Sequence, residues 1–144
     1  MGRRGLLSAL IGVVLLAPGC GGDDGPTLTF GGSDEEQVAA TVNAMTAAIA
    51  AGDGEIACAL MTERGQRRMV RIGRQVSAGV DTCAAAVPAV AGFGYDPGDF
   101  RVSVRDVSIG PGPDHAQANC ELRGGFLLER SAAGWRVDAP ACVD

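Results

Sequence analysis

Five cysteines and a single histidine are the side chains through which this chain could do chemistry, and their spacing decides which kind. A zinc site or a thiolate–imidazole pair needs such residues clustered at short separations or converging on one site. Cys20, Cys58, Cys83, Cys120 and Cys142 instead stand at least 22 positions apart. His115 follows Asp114 directly after a Pro-Gly-rich turn and reads as an exposed turn residue. No Gly-x-Ser-x-Gly elbow supplies a nucleophile. Asp96 and Asp99, in Tyr95-Asp96-Pro97-Gly98-Asp99, could approach a hard cation, but the run lacks the alternating oxygen ligands of a calcium loop and reads as a polar turn. The residues therefore nominate no catalytic group, no metal ligand and no cofactor.

Dispersed cysteines fit disulfides in an oxidising compartment, and the first of them is set apart by what precedes it. Arg3 and Arg4 give a basic start, and residues 6–17 form an apolar run too short to cross a bilayer as a stable helix. A small residue, Gly19, then precedes Cys20, which is the layout of a secretion signal. The run Leu16-Ala17-Pro18-Gly19-Cys20 resembles the lipobox of bacterial lipoproteins, in which the cysteine thiol is lipidated and becomes the mature N-terminus. The resemblance implies removal of residues 1–19, lipidation of Cys20, and a lipid anchor at the extracytoplasmic face of the cell membrane. An ordinary signal peptide cut nearby, leaving a thiol at Cys20, is the alternative. Each buried acyl CH₂ contributes about 0.8 kcal/mol, so two or three chains suffice to hold a small domain.

With Cys20 lipidated, four cysteines remain, and four allow three pairings. The arrangement favoured here joins Cys58 to Cys83 in the helical half and Cys120 to Cys142 in the strand half. By chain entropy each bridge closes a loop of about 25 residues and stabilises by about 3.5 kcal/mol. The second pairing requires the chain to turn back near Pro140. Buried free thiols are the alternative for some of these residues.

After residues 1–19 are removed, 125 residues remain, enough for one domain with a core. They carry 10 arginines and all 17 acidic residues, a net charge of −7, which argues against a nucleic-acid partner. Aromatic residues make up only 4% of the sequence, so the core must rest on aliphatic side chains.

The elements that must position these residues follow from periodicity. Residues 20–32 are glycine-rich with an acidic pair and a proline, and read as a flexible linker spanning about 20 Å. Residues 33–144 form the domain. Ser33 and Glu36 make a capping box, and Val38, Val42, Met45 and Ile49 form the apolar stripe of a first helix that Gly52 stops. Asp53 starts a short second helix through Met61, and Thr62 to Val76 forms a third. On that third helix Arg64, Arg67, Arg68, Arg71 and Arg74 share one side: a solvated face, with anionic lipid headgroups as an alternative role. Asp81 or Thr82 caps a fourth, kept short or bent by Pro88. The period then changes to 2. Phe100, Val102 and Val104 predict a strand that continues through Val107 and Ile109 one step out of phase, a shift at Arg105-Asp106 that reads as a β-bulge or as a strand crossing from one packing environment to another. Three further strands follow, through Ala116–Leu122, Phe126–Leu128 and Trp135–Ala139, joined by short turns into an antiparallel meander. Helices first and strands second is an α+β layout, with helices packed on one face of the sheet.

The break "AAIAAGDGEIACALMTERGQRRM" and the ending "LLERSAAGWRVDAP" resemble NTF2-like (SnoaL-like) lipoproteins of GC-rich bacteria, over roughly residues 34–140. The resemblance implies a curved antiparallel sheet wrapped around helices as a cone, of the NTF2-like or cystatin-like kind, often holding a small ligand. Asp53 and Trp135 read as helix cap and core. Phe93, Tyr95, Phe126 and Trp135 are candidate pocket residues, although core packing explains them equally well. No residue matches a catalytic motif of that superfamily. Three functions remain open: a non-catalytic lipoprotein binding a protein partner or a small apolar ligand, an isomerase- or cyclase-type enzyme, or a pocketless interaction module, in which case the chain could pair as a homodimer.

Overall fold

The computed structural model describes residues 28–120 and 124–139. The signal segment, Cys20, most of the linker, Leu122 and Cys142 lie outside the described residues. Helix α1 (Asp34–Ala51) begins where the capping box predicts. The Glu36 N–H donates to Ser33 Oγ at 3.3 Å, and the Ser33 N–H donates to Glu36 Oε2 at 2.7 Å. Gly52, at φ +71°, closes it in the left-handed conformation that suits glycine. Val38, Val42, Met45 and Ile49 are buried along one side, as their spacing requires.

Helix α2 (Gly54–Ala59) is capped by Asp53, whose Oδ1 accepts from the Ile56 N–H at 3.1 Å. Helix α3 (Glu63–Val76) is capped by Thr62 and helix α4 (Cys83–Ala91) by Thr82. Pro88 lies inside α4, which ends after nine residues. The five arginines of α3 are exposed, while Gly65, Met69 and Gly73 form its buried side. Missing side chains there allow close packing: a Cβ on Gly65 would stand 2.5 Å from the Val137 carbonyl oxygen, and one on Gly73 would stand 2.7 Å from Ala86 Cβ. A disulfide joins Cys58 on α2 to Cys83 at the start of α4, with the Cα atoms 6.1 Å apart. Cys120 is disulfide-bonded as well, but Cys142, its expected partner, lies outside the described residues.

Strands β1 (Val107–Ile109), β2 (His115–Asn119), β3 (Gly125–Ser131) and β4 (Gly134–Ala139) form one open antiparallel sheet in the order β1-β2-β3-β4. This is the α+β meander that the sequence implies. On the core face Ala116, Ala118, Phe126, Leu128, Trp135 and Val137 meet the buried side chains of the helices.

One predicted strand is shorter than its pattern. Residues 100–106 do not pair. Pro97–Phe100 and Val104–Asp106 are 3₁₀ turns, and the strand starts only at Val107. The cause is Asn43 on α1. Its side-chain amide donates to the Val102 carbonyl at 2.9 Å and accepts from the Val102 N–H at 3.0 Å, so Val102 has neither backbone group left for a ladder. The phase change at Arg105-Asp106 is thus a 3₁₀ turn, and the sheet's register shift lies between Leu127 and Leu128 instead.

The β4 edge is covered. The Val137 N–H donates to the Leu60 carbonyl at 2.8 Å and the Thr62 N–H donates to the Val137 carbonyl at 2.9 Å, so the link from α2 to α3 runs beside the strand as a parallel bridge.

Candidate ligand cavity

Strand β4 departs from the alternation expected of a half-buried strand. Trp135, Arg136, Val137 and Asp138 are all buried, although side chains alternate between faces along a strand. Trp135 and Val137 belong to the core, so Arg136 and Asp138 are two charged residues buried on the other side.

Asp138 has partners. Its carboxylate accepts from Thr62 Oγ1 at 2.8 Å and pairs with Arg64 Nη1 at 3.2 Å. A buried acid so engaged is a structural acceptor and is not available as a general base.

Arg136 has much less. It is 8% exposed, and its Nη1 donates to the carbonyl of Trp135 at 2.8 Å. Glu129 is its cross-strand neighbour in register but is exposed, and among the described residues no carboxylate lies within ion-pair distance of the guanidinium. Burial pushes the Arg136 guanidinium below its ordinary value, though an arginine keeps its charge at neutral pH.

Beside it, the indole of Trp135 is clamped from one side by Arg130, whose guanidinium carbon lies 4.6 Å from the ring centre. Arg130 also pairs with Asp34, the first residue of α1, which ties the hairpin to the helix start. The indole Nε1–H is buried and has no acceptor among the described residues.

Between these elements lies a cavity of about 230 Å³. The first two turns of α1 supply Gln37 and Thr41, the β3–β4 hairpin supplies Trp135 and Arg136, and the segment before α1 supplies Leu28 and Phe30. Gln37 and Thr41 are already committed: Gln37 Nε2 donates to the Gly32 carbonyl at 2.9 Å and Thr41 Oγ1 to the Gln37 carbonyl at 2.8 Å. The donors left over are those of Arg136, the Thr29 hydroxyl and the second amide N–H of Gln37.

A family, a curated relative or a solved structure would name this site at once. None matches. The site must be read from its own chemistry.

A larger and more open crevice of about 320 Å³ lies beside Asn43, Thr46, Pro97, Gly98 and Arg101. Asn43 is engaged there by Val102 and Thr46 Oγ1 by the Asn43 carbonyl at 3.1 Å, which leaves the exposed Arg101 as its available polar side chain. Among the described residues no cluster of three or more His, Cys, Asp or Glu side chains could hold a metal ion, and no helix is long and apolar enough to cross a membrane. His115 is exposed at the first position of β2, and Asp96 caps a 3₁₀ turn through the Gly98 N–H at 2.8 Å.

The aromatic residues singled out in the sequence are distributed differently. Trp135 lines the cavity. Phe126 is fully packed in the core, Tyr95 stacks on Phe100 with ring centres 4.5 Å apart, and Phe93 is 73% exposed. Arg136 escapes sequence reasoning because a charged residue between two apolar ones on a strand normally faces water. The signal that could have found it is the apolar pair Leu28 and Phe30, inside the stretch that reads as linker: both pack against the core.

Proposed function

We propose that this chain is a lipoprotein of the cell envelope, anchored to the membrane through Cys20, whose NTF2-like α+β domain is a non-catalytic binding module for a small ligand. The observation that carries the reading is the cavity at the junction of α1 and the β3–β4 hairpin, walled by Leu28, Phe30 and the Trp135 ring, with donors to spare. Small-molecule sites are concave and mostly apolar, with a few placed polar groups. Helices packed against an open antiparallel meander support the α+β layout that the sequence resemblance implies. An enzymatic reading gains nothing from Asp138, the buried carboxylate, because Thr62 and Arg64 occupy it. A homodimerising module gains little from the outer face of the sheet, where the exposed Leu127 is surrounded by Gln117, Asn119 and Glu129.

The test has two arms. Mass spectrometry finds acyl chains on Cys20 of the wild-type chain, and an unmodified thiol there, or recovery of the chain wholly from cytosol, overturns the anchor. Titration of the full chain with small aromatic compounds changes the fluorescence of Trp135, its single tryptophan. Indifference of that fluorescence and of the melting temperature to every compound overturns the pocket.

A further inference from the structure

We propose that the cavity takes a small organic monocarboxylate, its anion held by the guanidinium of Arg136 and its apolar part lying against Leu28 and Phe30. The proposal rests on the reading of the domain as a small-ligand binder and specifies the chemistry of that ligand.

Two observations lead there independently. The first is the Arg136 charge, 8% exposed and without a carboxylate partner among the described residues. A cation taken out of water is costly unless paired, and replacing water by a carboxylate through two parallel N–H···O bonds is the most effective compensation a guanidinium can obtain. The second is the cavity itself, which Arg136 lines together with Leu28, Phe30 and Trp135, the Trp135 ring serving as wall because its buried Nε1–H has no surface open to a ligand.

The charge count selects the class of anion. A single guanidinium faces the site, Glu129 stands opposite it in the ladder and Asp34 is already matched by Arg130. One negative charge is compensated there. A second, as on a phosphate dianion, meets only a domain that is itself net negative. The volume selects the size: about 230 Å³ is below the roughly 300 Å³ at which ordinary ligand pockets begin. An aromatic or short aliphatic acid fits that description.

Benzoate, benzamide and benzyl alcohol, titrated into the full chain and followed by calorimetry and Trp135 fluorescence, test this directly. They share one apolar body and differ in charge. Benzoate binds at least tenfold more tightly than the two neutral probes, and Arg136→Gln abolishes that preference. Equal binding of the three probes to the wild-type chain overturns the carboxylate specificity and leaves the pocket standing. Binding of none of them overturns the pocket with it. The comparison on the wild-type chain needs no variant to fold, and Arg136→Lys, which keeps the charge but loses the fork, retains part of the preference.

Discussion

Thr62 and Asp138 share a 2.8 Å hydrogen bond across 76 positions of sequence, and it fastens the start of helix α3 to the last strand of the sheet. The same Thr62 hydroxyl accepts from the Gly65 N–H at 3.1 Å, so one side chain both caps the helix and donates to the strand. Asp138 is buried, while its second partner, Arg64, is 74% exposed in its side chain.

That asymmetry separates two substitutions. Asp138→Ala strands the half-buried Thr62 hydroxyl and should cost about 1–3 kcal/mol. Arg64→Ala removes only a solvent-screened ion pair and should cost less than about 1 kcal/mol. Urea denaturation of both variants checks this, and equal losses would show that the ion pair, rather than the buried hydrogen bond, holds the junction.

Gly65 and Gly73 make the second prediction. Alanine is the better helix former by about 1 kcal/mol, so both substitutions would stabilise an exposed helix. Here a Cβ would press on the Val137 carbonyl from Gly65 and on the Ala86 backbone and methyl from Gly73. Neither neighbour is the end of a flexible side chain, so overpacking prevails and each variant should lose about 1–3 kcal/mol in total. A rise in melting temperature for either one contradicts the close packing of α3.

How far the sequence reveals these relationships depends on how local they are. The caps at Ser33 and Asp53 and the stop at Gly52 are decided within a few residues, and each is where its motif puts it, while Thr62 caps α3 and Thr82 rather than Asp81 caps α4. The meander is legible for the same reason, since short turns leave its strands little choice of partner. Val102 is not legible, because the alternation around it says strand while Asn43, 59 positions away, takes both its backbone groups. Arg136 is hidden in the same way. Its residue type says solvent, and only the fold of Leu28 and Phe30 against the hairpin closes a cavity over it. The candidate site is thus a tertiary product, assembled from three segments that carry no shared motif.

The Cys58–Cys83 bridge spans 25 positions and links two helices that already pack together. Chain entropy assigns it about 3.5 kcal/mol, acting mainly on the unfolded chain. The double variant Cys58→Ala, Cys83→Ala should therefore fold to the same structure with an unfolding free energy lowered by that amount, measured by denaturant titration. Unchanged stability would mean that the helices confine the unfolded chain as well without the bridge.

Tyr95 provides a prediction in pH. It is the only tyrosine, and burial pushes its phenol above the ordinary value of about 10. Stacking on Phe100 at 4.5 Å holds the ring in place. A raised folded value means that the unfolded chain gives up this proton first. Stability from this source is intact below about pH 10 and is lost as the pH climbs from there towards the raised folded value. Tyr95→Phe has no proton to lose, so wild type and variant should keep a constant stability difference up to about pH 10. Above it the wild type should fall away relative to the variant, and its tyrosinate absorbance should develop only as the chain unfolds. Parallel stability curves through that range, or a phenol that titrates normally in the folded chain, would place Tyr95 in contact with water.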